Sequence, residues 1–575
     1  MKKITRMIMS SVLCLTAALG ASGCGSVVIP GDEQTETVDT EKTQLYVYNY
    51  NGGYRTEWLY KAKARYEELH KDDTNWESGK KGVQIMVTPA KSATDVETIK
   101  KSKSEIYFIE SKDYHSYVNK GAFADISDVL FTDNPYEPDK KIIDKLSEAQ
   151  KAYFLRDGKY YALPGYEGYF GIAYDMELFE DKGFYLKKDA DVTVNQDSLS
   201  SCFTRRIEER SYGPDGKTGI IDGVDYSADD GLPVTYDEFF ALCKIMIDRG
   251  VCPLIWSGIY AAKHLTGLLH SLVAQSEGSE QMELTYSLDG EATTLGKIVD
   301  GKFVKDATST TITTENGYEL SRKKGNYDAL TFIYNLINGT VDGRHYYYEY
   351  SFKTGFSHTN AQAAFLKNGI TNSEERIGML VDGAWWESEA TDVFNDMCET
   401  NGEEYSKTNR KYGWMPLPKA EKGDGEITLV EDMYASVFVK STIEEWKMPL
   451  AIDFLQFVHT DESLSEFTTT TNTPKALNYT MTDSDLAKLS EYGRSLLALK
   501  NRANVVYPLA TNSVFLNNQT LFKDFPENGL YQSRVGSDRS NPVSVFKDYG
   551  DTISAADYFS GLYTFRKNLT IWEKS

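Results

Sequence analysis

Apolar and polar positions in the first part of the chain form short alternating runs and helical stripes. Residues 44–50 alternate and are rich in aromatic side chains, which predicts a strand. Two more strands are predicted over 83–88 and 106–109, and a helix near 113–120. Thr56 is a candidate N-terminal cap for a helix between the first two strands. The apolar face of that helix consists of Trp58, Leu59, Ala62, Tyr66 and Leu69. Strands and helices in alternation indicate parallel α/β construction.

A second run of the same kind begins at residues 160–174. Its strongest signal is the pair Thr235 and Glu238, which predicts a capping box before an apolar stripe that Gly250 ends. Residues 276–325 are rich in Thr, Gly and charge, and predict an insertion of short strands and turns. The other predicted elements are helices near 261–274, 327–337, 360–368 and 445–459, and a strand over 374–381.

The N-terminus predicts export. Lys2, Lys3 and Arg6 precede an apolar stretch that is too short to span a membrane, so residues 1–23 are interpreted as a signal peptide. Their end resembles a bacterial lipobox, in which Cys24 becomes lipidated and anchors the protein to the outer face of the cell membrane. Ordinary cleavage beside a chance cysteine is the alternative. Residues 24–43 are polar and acidic, and are interpreted as the lipidated residue and a flexible tether.

Composition narrows the possible partners. The chain is 41% hydrophobic and 26% charged, which excludes a mostly disordered protein. A formal charge of −23 disfavours nucleic acid and anionic membrane surfaces, since both need a positive partner. The chain has 39 Tyr residues, which suit surfaces that are partly apolar and partly hydrogen-bonding.

No enzyme signature is present, and the expectation is a protein without catalytic activity. His264 and His270 form the one close histidine pair, and their spacing does not suit a metal. There is no G-x-S-x-G elbow and no phosphate-binding glycine loop. Four cysteines remain in the body without a C-x-x-C pair, and Cys243, on an apolar stripe, is expected to be a buried thiol. Bridges between Cys202 and Cys252 or Cys243 and Cys252 stay open, and Cys398 is unassigned.

Six segments occur in a telling order along the chain: 47–54 (VYNYNGGY), 106–110 with 121–126 (IYFIE, GAFADI), 158–167 with 172–175 (GKYYALPGYE, IAYD), 232–239 (LPVTYDEF), 378–385 (GMLVDGAW) after Phe365, and 412–418 (YGWMPLP). Together they resemble the family 1 extracellular solute-binding proteins of ABC importers, the group that includes maltose-binding protein. The matching features of that family include a strand-turn-helix start, a first crossover, a "P-x-T-W-D-E" helix start and an "A-M-x-x-x-G-x-W" strand end.

The resemblance implies an α/β protein with the two-lobe type II periplasmic-binding-protein fold, a ligand cleft between the lobes and strands that cross between them. The expected N-terminal lobe is 44–163 plus 414–445. The expected C-terminal lobe is 165–412 plus 446–575, with the placement of 490–575 uncertain. Crossings are expected near 163–166, 411–415 and 440–447. The implied function is a monomeric receptor that captures a carbohydrate, the family's commonest ligand class, and delivers it to an ABC transporter permease.

The expected ligand-binding residues lie at strand ends and crossovers, where parallel sheets bind ligands. They supply aromatic faces for sugar rings and carboxylates or amides for hydroxyl groups. Glu167 and Trp385 match a crossover carboxylate and a stacking tryptophan of the family. The full set is Asn51, Tyr54, Glu110, Tyr166, Glu167, Trp256, Tyr260, Trp385, Trp386, Asp432 and Tyr434. The alternatives are packing roles for the aromatic residues and an exposed turn for Glu167.

No cofactor is expected, apart from a weak calcium site. Larger members of this family can carry a calcium loop before the Thr235 helix, and acids among glycines can supply its oxygens. The candidates are Asp215, Asp222 and Asp225, although their spacing departs from a calcium-binding loop and a solvated acidic loop is the alternative. Three other functions stay open: a binder of a non-sugar solute with the same fold, a secreted polysaccharide-degrading enzyme, and an adhesin or structural lipoprotein.

Overall fold

The computed structural model describes residues 37–90, 95–110, 114–194, 196–221, 224–423, 425–432, 435–518, 529–535 and 538–572. They belong to one compact unit, Thr35–Ser575. The predicted signal peptide, Cys24, Asp222 and Tyr434 lie outside the described residues. Within those ranges, no helix combines the length and apolar character that a membrane crossing requires.

A five-stranded mixed sheet organises what we call the first half, residues 37–164 and 435–471. Its three parallel strands come from the predicted N-terminal run, and the fourth is antiparallel to its neighbour. In sheet order the strands are Val83–Ala90, Thr43–Tyr50, Ile106–Glu110, Ala435–Val439 and Leu163–Pro164. The helices are Glu57–Leu69, Val96–Lys101, Tyr114–Asn119, Ser127–Phe131, Glu148–Phe154, Met448–Val458 and Asp461–Thr471.

The first helix of this half, Glu57–Leu69, buries most of its predicted apolar face, and it differs from the prediction at two residues. Trp58, Tyr66 and their neighbours on the stripe are buried as predicted, but Leu69 is 57% exposed because it is the last residue of the helix. Thr56 stands at the cap position, yet its hydroxyl donates to Asn51 Oδ1 and accepts from Asn49 Nδ2 instead of capping the helix backbone. Thr56 therefore ties the end of the first strand to the loop that follows it.

A four-stranded sheet organises the second half, residues 170–430 and 491–572. Its order is Cys252–Ile255, Ile377–Gly383, Phe170–Asp175 and Tyr412–Met415, and only the first two strands are parallel. Apolar clusters cover both of its faces. The helices are Met176–Lys182, Tyr236–Asp248, Ala261–Ser287, Lys324–Asn338, His358–Lys367, Trp386–Glu389, Thr391–Asn401, Glu491–Arg502, Ser513–Asn517, Pro542–Tyr549 and Ala555–Lys567.

The Thr235 capping box forms as predicted, with both reciprocal hydrogen bonds to Glu238. The predicted insertion begins later than expected, because the helix Ala261–Ser287 continues through a break at Gly278 into the segment read as strands. Cys202, Cys243 and Cys252 are buried free thiols, so neither bridge left open by the sequence forms. Two short strand pairs form in the rest of the insertion: Gly290–Ala292 with Thr310–Ile312, and Gly296–Val299 with Lys302–Lys305. Three more short pairs lie elsewhere in the second half: Tyr185–Leu186 with Phe203–Thr204, Ile220–Ile221 with Val224–Asp225, and Thr340–Val341 with Arg344–His345.

The chain passes between the halves at 165–169, at the described residues 431 and 432, and at 472–490, and only the first passage lies near an expected crossing. Strand Tyr412–Met415 still pairs in the second sheet, so no crossing occurs there. Helices Met448–Val458 and Asp461–Thr471 pack in the core of the first half, although the sequence assigned residues from 446 onward to the other lobe. Their apolar faces are buried against the first sheet, and this moves the third passage beyond residue 471.

The described residues from 491 onward complete the second half. Helix Glu491–Arg502 lies against strand Tyr412–Met415, where Trp414 N donates to Ser495 Oγ. Helices Pro542–Tyr549 and Ala555–Lys567 bury Phe546 and Leu562 in the main apolar cluster of the second half.

Candidate ligand cleft between the two halves

Trp385 lies where the two halves meet. It follows the strand Ile377–Gly383, is half-buried, and has its ring centroid 5.3 Å from that of Phe170. A Cβ added at Gly53 of the first half would overlap the indole at Cδ1, and one at Gly168 of the first passage would come within 2.9 Å of Cε3. Glycines in the first half and in the first passage therefore let the backbone approach the indole closely, and the indole bridges the two halves.

A group of polar side chains, which we call the polar group, lies around Glu389, at the end of the short helix that follows Trp385. Glu389, one helical turn after Trp385, accepts a 2.7 Å hydrogen bond from Gln362 Nε2 and lies 3.3 Å from His358 Nε2. The same Gln362 nitrogen lies 3.1 Å from Asp382 Oδ2. His264 completes the group, with Nε2 3.9 Å from Asp382 Oδ1. Two carboxylates thus share one amide, and each has a histidine beside it.

The environments of these groups set their charge. Burial raises the pKa of Asp382 to about 7, and the Glu389 carboxylate adds to the effect. Burial also acts to raise the pKa of Glu389, but hydrogen bonds from His358 and Gln362 outweigh it and lower the pKa below its usual value. Burial lowers the pKa of His264 to about 4. At neutral pH Glu389 is therefore an ionised acceptor, and His264 is neutral.

Two tyrosines border this polar group, one from each half. Tyr260 is 43% exposed, and its ring centroid is 5.6 Å from that of His358 and 6.1 Å from that of His264. Tyr50 is the last residue of the first strand and is half-buried. Burial, together with the Glu110 and Glu389 carboxylates, raises the pKa of Tyr50 to about 12. The phenol thus lies within the electrostatic reach of a carboxylate from each half.

Glu167 occupies a different environment from the one expected. It is fully buried, and its Oε2 accepts from Lys500 Nζ at 2.8 Å and from Tyr507 Oη at 3.2 Å. Burial raises the pKa of Glu167, although Lys500 opposes this effect. Within the described residues, Oε1 has no hydrogen-bond partner. Glu167 is therefore neither an exposed turn residue nor a carboxylate presented to solvent in this arrangement.

Tyr54 and Tyr166 join the first passage to the first half. Tyr54 Oη donates to the Glu167 carbonyl at 2.7 Å, and Tyr166 Oη donates to Asn49 Oδ1 at 2.8 Å. Their ring centroids are 4.6 Å apart, and both side chains are buried. The Tyr54 ring has the rings of Tyr166, Phe467 and Trp385 beside it, with centroids at 4.6, 5.9 and 6.2 Å.

In each of two expected aromatic pairs, Trp256 with Tyr260 and Trp385 with Trp386, one ring is accessible and the other is in the core. Trp256 is fully buried, with ring centroids of Tyr347 and Phe352 at 4.9 and 5.5 Å, whereas Tyr260 is exposed. Trp386 is fully buried among the rings of Phe365, Tyr412 and Tyr492. Trp256 and Trp386 therefore present no face to the cleft.

The remaining expected residues lie near the passages. Asn51 Oδ1 accepts from Thr56 Oγ1 at 3.1 Å, and Glu110 is half-buried at the end of its strand. Asp432 is buried, and its backbone N–H donates to the Gly168 carbonyl at 2.9 Å, so the first and second passages run side by side.

The two described calcium candidates, Asp215 and Asp225, have other partners. Asp215 pairs with the Arg502 guanidinium, which also lies 3.1 Å from Asp229 Oδ1. Asp225 accepts hydrogen bonds from Ser227. Within the described ranges, no three His, Cys, Asp or Glu side chains are placed to hold a metal ion. A calcium ion at this loop stays a prediction.

Sequence reasoning missed most of the polar group. The missed residues are the members His264, His358, Gln362, Asp382 and Glu389, and the bordering Tyr50. Two of them carried a usable signal, because Tyr50 directly precedes the predicted Asn51 loop and Glu389 stands four residues after Trp385. Gln362 and His358 come from a helix that gives no such hint, since only the fold brings that helix beside the strand Ile377–Gly383.

Comparison with known proteins identifies the fold. No protein-family model and no curated protein matches the chain. Among solved structures, the chain is similar to the solute-binding protein RafE in complex with raffinose, with 13% sequence identity and a TM-score of 0.50 over 92% of this chain and 99% of that chain. It is similar also to a chitin oligosaccharide binding protein, with 14% identity and a TM-score of 0.52 over 92% of this chain and 98% of that chain. The mixed α/β fold is that of solute-binding proteins, which confirms the predicted fold class.

Proposed function

We propose that the chain is a carbohydrate receptor, which holds an oligosaccharide between its two halves and delivers it to an ABC transporter permease. The observation that carries the proposal is the half-buried Trp385 indole where the two halves meet, one helical turn before the ionised Glu389. Structures of two proteins with this fold are a complex with raffinose and a chitin oligosaccharide binding protein. From these two structures we extend to this chain only the class of ligand, which is carbohydrate.

The chemistry of the cleft suits a sugar ring. One face of the ring is made of C–H groups, which pack well on an indole, and its rim carries hydroxyl groups. A hydroxyl that donates to a carboxylate makes a charge-assisted hydrogen bond, which is stronger than a neutral one. Glu389 is an acceptor of this kind, while Tyr50 and Tyr260 can both donate and accept. The function proposed here is binding, with no chemical step.

The proposed location is the outer face of the cell membrane, through a lipid on Cys24. A short tether after the lipidated cysteine would leave the folded unit free to meet a permease. The Cys24→Ser variant should appear in the medium instead of the membrane fraction and should bind carbohydrate as the wild type does. Retention of the variant on membranes after a high-salt wash would contradict the lipid anchor.

Calorimetry and thermal denaturation with a ligand panel test the binding function. The panel contains raffinose and chito-, xylo- and malto-oligosaccharides, with oligogalacturonate, a peptide mixture and a sugar phosphate for comparison. A ligand at one hundred times its dissociation constant stabilises the folded protein by about 2.7 kcal/mol, which is a measurable rise in melting temperature.

The expected result is stabilisation by one of the neutral oligosaccharides and none by the peptides or the phosphate. Chromatography of the glycans after incubation should recover them unchanged. Stabilisation by a peptide or a phosphate ester alone would overturn the carbohydrate assignment, and cleavage of a glycan would overturn the receptor assignment.

A further inference from the structure

A second group of accessible aromatic side chains lies beside Tyr260. Residues 346–348 run parallel to the strand Cys252–Ile255: Leu254 N donates to the Tyr346 carbonyl at 3.0 Å, and Tyr348 N donates to the Leu254 carbonyl at 2.8 Å. Because the two segments are parallel, both end at the same edge of the second sheet. That edge also carries Trp385, at the end of the neighbouring parallel strand.

Three rings form a cluster where residues 346–348 leave the sheet. The centroids of Tyr348 and Tyr350 are 5.4 Å apart, and Phe356 lies 6.1 and 5.7 Å from them. Tyr350 is 44% exposed, while Tyr348 and Phe356 are half-buried. With the exposed Ile259 and Tyr260, these side chains make up what we call the outer aromatic strip: Ile259, Tyr260, Tyr348, Tyr350 and Phe356.

Backbone contacts hold the two loops of the strip in fixed relation. Ile259 N donates to the Phe356 carbonyl at 3.1 Å, and Ser257 Oγ donates to the same oxygen at 3.2 Å. A Cβ added at Gly258 would overlap the Lys353 carbonyl oxygen, so a glycine is needed for this approach. The strip is therefore built in place before any ligand arrives, and little conformational entropy is lost when a ligand binds to it.

The strip is continuous with the candidate cleft. The Tyr260 ring lies 5.6 Å from His358, which in turn contacts Glu389 at 3.3 Å. Contiguous apolar side chains that stay exposed in a folded protein typically indicate a binding surface, whereas single exposed apolar side chains do not. Tyrosine combines an apolar ring with a hydroxyl and has few rotatable bonds, so it suits a polyhydroxylated ligand.

We infer that the outer aromatic strip is an extended subsite for the distal units of an oligosaccharide whose first unit lies against Trp385. The inference rests on the carbohydrate-binding function proposed above and adds the length of the ligand. A mono- or disaccharide at Trp385 would leave the strip empty. A longer neutral chain would run past Tyr260 and stack its outer units on Tyr350 and its neighbours.

The test is the dependence of affinity on chain length, measured by calorimetry with the chito-, xylo- and malto-oligosaccharide ladders from disaccharide to hexasaccharide. In the ladder that binds, affinity of the wild type should rise with length. The Tyr350→Ala variant should bind the hexasaccharide about tenfold more weakly, which is the effect of losing one modest aromatic anchor. Its affinity for the disaccharide should be unchanged, and this unchanged value shows that the variant is folded.

Two control variants sharpen the result. Tyr350→Phe keeps the ring and should retain most of the hexasaccharide affinity. Tyr549→Ala removes a tyrosine that is 50% exposed in the helix Pro542–Tyr549, and it should change neither affinity.

An equal loss for short and long ligands in Tyr350→Ala, or no loss for either, would overturn the subsite. Binding of a disaccharide as tight as that of a hexasaccharide would overturn it while leaving the receptor function intact. If neither raffinose nor any ladder binds, both proposals are wrong, whereas binding of raffinose alone overturns only the subsite.

Discussion

The fully buried Glu167 carboxylate and the half-buried Lys500 ammonium form an ion pair at 2.8 Å, which joins the first passage to the helix Glu491–Arg502. Tyr507 donates a second hydrogen bond to the same oxygen. The pair holds together segments that are more than three hundred residues apart in the chain. It gives Glu167 a structural role at the junction of the two halves.

Removal of one partner should destabilise the protein. Lys500→Met leaves the Glu167 charge buried without compensation, which typically costs about 3–5 kcal/mol. The free energy of unfolding from urea titration measures this. Adding Glu167→Gln to Lys500→Met should recover much of the loss, because the buried charge is then absent.

The matched control is the exposed pair of Lys488 and Asp485, also at 2.8 Å. Lys488→Met should change stability by less than about 1 kcal/mol, since exposed pairs contribute little. Equal effects of Lys500→Met and Lys488→Met would contradict the structural role of the buried pair.

Substitution of the adjacent residues Trp385 and Trp386 should have different effects, the first on ligand affinity and the second on stability. Trp385→Ala should weaken the bound oligosaccharide by about thirtyfold or more, the effect of removing an aromatic anchor worth about 2 kcal/mol. Its melting temperature without ligand should stay near that of the wild type, since the indole is only half-buried. Trp386→Ala removes a fully buried ring and should cost about 3–5 kcal/mol of stability. Calorimetry and thermal denaturation of both variants check this, and normal sugar binding by Trp385→Ala would remove Trp385 from the cleft.

A methyl group at Gly53 should keep the two halves apart. The added Cβ of Gly53→Ala would overlap the Trp385 ring, so the arrangement described here becomes strained. The expected result is weaker oligosaccharide binding and a larger radius of gyration by X-ray scattering in the presence of ligand. Gly355→Ala is the control, because a Cβ there meets no atom within 4 Å. Unchanged affinity and radius in Gly53→Ala would show that this contact is not needed for binding.

Glu387 should make stability depend on pH. Its carboxylate is fully buried, accepts hydrogen bonds from Ser490 Oγ at 2.8 Å and Asn472 Nδ2 at 2.9 Å, and has its pKa raised by burial to about 7. A group with a raised folded-state pKa stabilises the fold fully below its unfolded-state pKa and loses that contribution as the pH rises through the folded value. Between pH 5 and pH 8 the wild type should therefore lose about 3 kcal/mol of stability relative to Glu387→Gln.

Urea titrations of both proteins at several pH values measure this difference. Asp485→Asn is the control: its pKa is lowered to about 2, mainly by Lys488 and Thr482, so its contribution is lost only as the pH falls toward 2. The difference between Asp485→Asn and the wild type should be flat between pH 5 and pH 8. A flat difference for Glu387→Gln over the same range would show that Glu387 ionises normally in the folded protein.

Much of the local structure could be predicted from the chain. The strand Thr43–Tyr50, the capping box of Thr235 and the position of Trp385 at the end of a strand follow from periodicities of two and 3.6 residues and from short-range capping chemistry. The buried state of Trp386 and Trp256 could not be predicted, because neighbouring aromatic residues in a sequence carry no mark of which one faces the core.

Periodicity by itself indicated the α/β class and the two strand-helix runs, since these depend on contacts within a few residues along the chain. The solute-binding-protein fold was implied by the resemblance of six ordered segments to a known family. Only the tertiary structure decided that the helices Met448–Val458 and Asp461–Thr471 return to the first half, that Lys500 neutralises Glu167, and that Gln362 and His358 meet Glu389. Those outcomes depend on which distant apolar faces bury each other and on which charges are removed from water together. Such long-range choices leave no short-range pattern in the sequence.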